Sequence, residues 1–359
     1  MKGGAEMKKI KLFSIIFVIM MIAGIFGPGN TKSRAAAVTP IEIKWTILEA
    51  DAQLAISEMT RQFAKQVAEK TEGRVTVKVF WGGQLGAVTD YLKMVSSGGV
   101  AQGGNLIMTY HQWELPLWAA AGLPFLTSGY KVAPKAIYQL GKEWAPMQDN
   151  LKRNNVKVLG VIQIYETVIA TKTPMTSIDQ LKGQKMWILG FWQQAASVLG
   201  IVNVPLTPPE VLDSLQKNLI SGIWGLAYQG SKTMGFYESA KYQYALPFGG
   251  NNVMLQVVNL DTWNKISAKD QMTIEAIGND VAFNFYTKYM DNDLSAMKEF
   301  YKGKGVTDST LSSADLSTIQ NKAKDVIWNN WIKTAKEKGV PADEWMQRYQ
   351  AKVKELSKK

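Results

Sequence analysis

The chain has 359 residues, 46% hydrophobic and 20% charged, an ordinary globular mixture long enough for two domains and unlike a disordered, fibrous or multi-span membrane chain. It contains no cysteine, which excludes disulfides, a lipid-anchoring cysteine, thiol catalysis and cysteine metal sites. Its formal charge is +11, but the first 37 residues hold six Lys or Arg and one acid, leaving 35 basic against 29 acidic side chains, a net +6. With no dense Lys/Arg block, nucleic acid is not an expected partner.

The first segment, "MKKIKLFSIIFVIMMIAGIFG", has a basic start and an apolar run from Leu12 to about Phe26. The small-residue stretch "SRAAAVTP" follows, and Ala35 and Ala37 fit a signal-peptidase site. Residues 1–37 are therefore expected to be a signal peptide, cleaved near Ala37, with a periplasmic mature protein beginning near Val38. A single membrane anchor is the alternative, for which the apolar run is rather short.

The strand pattern begins with "IEIKWTIL" (41–48). In "ADAQLAISEMTRQFAKQVAEKTEG", Ile56, Met59, Phe63 and Val67 recur at helical spacing and Gly73 is placed to stop the helix. "RVTVKVFW" alternates as a strand, "AVTDYLKMVSSGG" is a short helix closed by glycines, and "NLIMTY" is a third strand. This β-α-β-α-β order predicts a mainly parallel sheet with helices on its faces. "VKVLGVIQI" (156–164) is apolar enough to be buried on both faces, and "QKMWIL" is a further strand. "TPPEVLDSLQKN" is a helix with Thr207 as cap, Pro208 in the first turn and Glu210 completing a capping box, and "LISGIWG" is a strand after it. From Ser312 onward the pattern is helical. No low-complexity linker separates the halves.

Several of these segments resemble, in the right order, the solute-binding proteins of tripartite ATP-independent periplasmic (TRAP) transporters, the DctP-like family. "GRVTVKVFWGGQLGAVTDYLKMVSSGGV" is similar to its G-Q-L-G segment and "AAGLPFLTSGYKVAPKAI" to its L-P-F segment. "IDQLKGQKMWI" is similar to its L-K-G-x-K-x-R-V segment, "VPLTPPEVLDSLQKNLISG" to the stretch ending V-D-G, and "LDTWNKISAKDQ" to a later one. The likeness spans nearly all of residues 42–340. It implies an α/β, two-domain periplasmic binding protein fold with a cleft between the domains and long C-terminal helices. The expected division is 38–164 plus 252–291 for one domain and 165–251 plus 292–359 for the other. The resemblance also implies a small-molecule ligand, TRAP membrane permease subunits as partners, a monomer, and no chemical step.

The departures from the family pattern are specific. Trp187 stands where most relatives have an arginine whose guanidinium holds a ligand carboxylate. "ISGIWGL" replaces V-D-G-x-E-N, Ala87 and Val88 stand where some relatives have a ligand-contacting acid, and "YETVI" replaces a stretch carrying a second arginine. An ionised carboxylate enclosed without a partner costs several kcal/mol, whereas an aromatic wall rewards apolar surface at about 25 cal/mol per Å². The expected ligand is therefore hydrophobic or aromatic, with Trp187, Phe191, Trp192, Trp224 and Tyr228 lining the cleft and Tyr165, Thr167, Val88, Leu48 and Leu106 joining them by position. Two other readings stand beside this one. Trp187 could fill the core beneath the sheet, or Lys185 or Lys172 could replace the missing arginine and meet an organic acid.

An enzyme is not expected. His111 is the one histidine, and it is read as a loop or cleft-edge hydrogen-bonding residue. No G-x-S-x-G, H-E-x-x-H or phosphate-binding loop is present. No cofactor or metal site is expected. A domain that binds the same ligand but signals to a receptor would have the same fold.

Overall fold

A computed structural model of the chain describes residues 39–358 apart from 53, 128–129, 165–166 and 250–252. The first unit runs through β1 (Ile41–Thr46), α1 (Ala55–Lys70), β2 (Val75–Phe80), α2 (Tyr91–Ser97), β3 (Gly103–Ile107), α3 (Ala133–Glu143), α4 (Ala145–Arg153) and β4 (Val156–Gln163). The next is β5 (Thr167–Thr171), β6 (Lys185–Ile188), α5 (Trp192–Val198), β7 (Val202–Asn203), α6 (Pro208–Gln216), β8 (Gly222–Ala227), α7 (Tyr228–Thr233) and β9 (Tyr242–Leu246). Then come β10 (Val253–Asn259), α8 (Ala268–Asp280), α9 (Tyr286–Gly303), β11 (Thr307–Thr310), α10 (Ser313–Glu337) and α11 (Ala342–Leu356).

Two sheets result, one ordered β2-β1-β3-β10-β4 and the other β11-β9-β5-β8-β6-β7. Both are mixed. β10 runs antiparallel to β3 and β4, β5 runs antiparallel to β8 and β9, and the remaining pairings are parallel. The reason is topological. The chain leaves the first sheet after β4 and returns to it only at β10, which enters from the opposite end.

Local chemistry explains the elements. α1 buries Ile56, Met59, Phe63 and Val67 on one face. It stops where Gly73, at φ 76°, lets its N–H turn back to the Ala68 carbonyl at 2.8 Å. Beneath it the Trp45 indole N–H donates to Asn105 at 3.1 Å, and the Asn105 amide donates to Thr60 at 3.1 Å. That buried chain ties β1, β3 and α1 together, so none of its polar groups is desolvated without a partner. α6 starts as its capping box requires, with the Thr207 N–H donating to Glu210 at 2.7 Å. The stretch "NLIMTY" is strand only to Ile107, because Met108–Tyr110 winds into a 3₁₀ turn. β1 likewise ends at Thr46.

The 25-residue α10 is anchored at separated points. Asp315 in its first turn accepts from the Ile178 N–H at 2.9 Å, and the Trp328 indole donates to the Pro124 carbonyl at 2.9 Å. No helix among the described residues is long and apolar enough to cross a membrane.

Candidate functional site

A cavity of about 420 Å³ opens at the carboxyl ends of strands from both sheets. Such ends are where open α/β sheets characteristically bind ligands. The first sheet contributes Leu48, Glu49 and Ala50 after β1, Gly82 after β2, and Ile107, Thr109 and Tyr110 at the end of β3. Leu54 and Ile56 come from the start of α1 and Ile164 from the end of β4. The second sheet contributes Trp187 and Leu189 around the end of β6, Pro208 of α6, and Leu226 and Ala227 of β8. Gln229, Gly230, Thr233 and Met234 complete the wall on and beside α7.

Glu49 is placed by backbone bonds. The Ile47 N–H donates to Phe80 at 3.3 Å and the Gly82 N–H to the Glu49 carbonyl at 2.8 Å. Ser57 at the start of α1 donates to the Ala50 carbonyl at 2.8 Å. The Glu49 carboxyl is buried: Oε2 has no hydrogen-bond partner among the described residues, and burial outweighs a hydrogen bond from the residue's own backbone and pushes the group up to about 7. Across the wall the Gln229 Nε2 is likewise buried and unpartnered.

Trp187 is 5% exposed and forms a face of the cavity. Its indole N–H already donates to the Leu206 carbonyl at 3.0 Å, and its ring sits edge-on to Phe236 with centroids 5.9 Å apart. It therefore offers a ligand an apolar face, with its one donor occupied. Leu48, Tyr110 and Met234 remain 40%, 44% and 37% exposed, so the cavity carries apolar surface that a ligand could remove from water.

Among the sequence-derived candidates that fall on described residues, Trp187 and Leu48 line this cavity and the others do not. Trp224 and Trp192 stack at 5.4 Å on the opposite face of the second sheet, with Phe125 and Phe248 packed beside Trp192. The cause is register: Trp187 pairs with Ile223 while Ile188 pairs with Trp224, so the two tryptophans project from opposite faces. Leu106 points away for the same reason, and its neighbour Ile107 lines the wall instead. Tyr228 turns into the core, donating to Asp308 at 2.6 Å and packing on Tyr301. Thr167 is buried in β5 between Ala227 and Leu246. Val88 sits in a 3₁₀ turn outside the wall, and Phe191 borders a neighbouring void of about 10 Å³ that shares Thr109. Tyr165 lies outside the described residues.

Neither lysine reaches the cavity wall. Lys172 donates to the Leu215 carbonyl at 2.5 Å and to Asn218 at the end of α6, and Lys185 is exposed at the start of β6. No Lys, Arg or His is among the described lining residues. His111, one residue past Tyr110, is buried, and burial holds its imidazole below the ordinary value. No group of three or more His, Asp or Glu among the described residues could hold a metal ion.

Many of the wall residues that sequence reasoning missed share one signal. Glu49, Ala50, Ile107, Thr109, Tyr110, Ala227 and Gln229 lie at or just past strand ends, and the carboxyl-end rule applied to "ILEA", "IMTY" and "LAYQG" would have pointed to them, whereas Leu54, Pro208, Thr233 and Met234 come from helix ends and carry no such signal. A second, larger recess of about 650 Å³ is bordered by Phe125, Tyr130, Lys131, Phe248 and Val353. It does not include the strand-end position of Trp187, where the family pattern departs.

Fold and cavity together define a two-sheet α/β binding protein. Residues 49–334 match the model of the family described as bacterial extracellular solute-binding protein, family 7 (DctP), and the chain belongs to that family. The family is one of solute-binding proteins, not of enzymes. Among curated relatives, a solute-binding protein of Chromohalobacter salexigens is 29% identical over 232 residues, covering 61% of this chain. The chain spans 65% of that relative's length. Among solved structures, a TRAP periplasmic solute-binding protein from Desulfovibrio salexigens superposes with a TM-score of 0.77 at 22% identity, covering 87% of this chain and 95% of its own. A marine-metagenome TRAP solute-binding protein specific for aromatic acid ligands, bound to 3-hydroxybenzoate, superposes with a TM-score of 0.78 at 18% identity. That match covers 89% of this chain and 99% of the other.

Proposed function

We propose that this protein is the periplasmic solute-binding component of a TRAP transporter, and that it captures a ligand with a mainly apolar or aromatic body in the cavity around Trp187. The observation that carries this reading is the wall itself: Trp187, Leu189, Ile107, Ile164 and Leu226 line it, and no cationic side chain among the described residues does. Covering one face of an aromatic ligand, on the order of 100 Å², is worth roughly 2–3 kcal/mol. The aromatic-acid specificity of the metagenomic relative supports an aromatic body. The missing arginine argues against small dicarboxylates. The mature protein, from Val38, is proposed to act as a monomer and to hand its ligand to membrane permease subunits. The lobes are proposed to comprise 38–164 plus 252–291 and 165–251 plus 292–359, closing on the ligand by a hinge.

A thermal-shift screen of residues 38–359 tests the reading. One half of the panel holds small mono- and dicarboxylates, the other aromatic, sterol-like and fatty compounds. A ligand at about 100 times its Kd adds about 2.7 kcal/mol, enough to move Tm by a few degrees. Shifts are expected in the apolar half. Shifts confined to small dicarboxylates would overturn the apolar reading.

A further inference from the structure

Among the described residues the cavity wall has an acid and no base. Glu49 lines it with Oε2 buried and unpartnered, and Gln229 lines it with Nε2 in the same condition. A native protein rarely leaves two such atoms unsatisfied on one wall without a molecule to meet them. We propose that Glu49 is the specificity-determining anchor of the site, and that the ligand carries a protonated nitrogen that pairs with it beside the aromatic faces of Trp187 and Tyr110. This rests on the cavity being the ligand site, and it names the polar end of the ligand.

Charge logic selects the cation. A buried carboxylate is stabilised by an opposite charge and destabilised by a like one. No Lys, Arg or His among the described lining residues supplies the opposite charge. A carboxylate ligand would meet Glu49 with nothing to screen the repulsion, whereas an ammonium would gain a charge-assisted hydrogen bond. Trp187 and Tyr110 add ring faces suited to a cation, and the Gln229 amide remains to donate to an oxygen on the same ligand. The titratable groups facing Glu49 are Tyr91 of α2 and Tyr286 of α9. Burial raises both phenols above their ordinary value, so they stay neutral and Glu49 is the group there that changes charge near neutrality.

The test uses three probes with one body: naphthylmethylamine, naphthoate and naphthylmethanol, titrated calorimetrically into the purified protein and into Glu49→Gln. At about pH 8 the amine should bind tightest, and lowering the pH to about 5.5, which protonates Glu49, should weaken it by about tenfold. Glu49→Gln should remove both the preference for the amine over the alcohol and the pH dependence. Naphthoate binding as tightly as the amine, or Glu49→Gln leaving the amine's affinity intact, would overturn the proposal. Equal binding of alcohol and amine would overturn it too, yet leave the apolar reading of the cavity standing. If no probe bound, both would fall.

Discussion

Trp187 and Trp224 lie on adjacent parallel strands, one residue out of step, and their rings leave opposite faces of the sheet. Trp187 pairs with Ile223 beneath the cavity, and Ile188 pairs with Trp224 in the stack with Trp192. Similar residues, a few ångströms apart along the ladder, therefore do different work. One presents a wall and the other holds the sheet to α5.

Replacing each with alanine should separate these roles. Trp224→Ala should cost about 3–5 kcal/mol of stability, as expected for emptying a packed core, with ligand affinity unchanged in folded protein. Trp187→Ala should weaken an apolar ligand by about tenfold or more. Chemical denaturation and calorimetric titration of both variants check this, and an unchanged affinity in Trp187→Ala would remove that ring from the site.

The same register depends on one residue. Between Trp224 and Leu226 the pairing with β5 skips Gly225, which sits at φ 97° as an inserted residue. The bulge reverses the alternation, so Leu226 returns to the cavity face that Ile223 occupies. An added Cβ would stand 3.0 Å from the Trp192 ring and 3.1 Å from the Leu189 carbonyl. Gly225→Ala should therefore destabilise by about 2 kcal/mol and also weaken binding, because Leu189 is part of the wall. Denaturation midpoints and ligand titration measured together test both halves.

Glu49 makes stability depend on pH in an unusual direction. Burial raises its carboxyl from an ordinary value of 4.5 to about 7. Between those values the folded chain holds a proton that the unfolded chain has released. Its contribution is thus fully present below about pH 4.5 and is lost as pH rises through about 7. The loss amounts to roughly 3 kcal/mol for a shift of this size. Glu49→Gln, neutral throughout, should melt several degrees above the native protein at about pH 8 and converge with it near pH 5. Parallel melting curves across that range would show that the carboxyl is not held in an apolar setting.

What the sequence by itself determined was the alternation of strands and helices, the start of α6 at Thr207, the stop of α1 at Gly73, and the likeness that marks the family. Each follows from periodicity, capping or turn chemistry among residues close in the chain. It also marked Trp187, because a ring in place of an arginine is visible in ten residues. Which face that ring takes was decided elsewhere. The register of β6 on β8, the bulge at Gly225 and the return of β10 into the first sheet are pairings between distant segments. A one-residue slip in any of them exchanges wall for core, which is why Trp224, Trp192 and Leu106 fell on the other side. Only that tertiary arrangement put Glu49, from the end of β1, into one cavity with Trp187 and Gln229 and kept cations off its described wall.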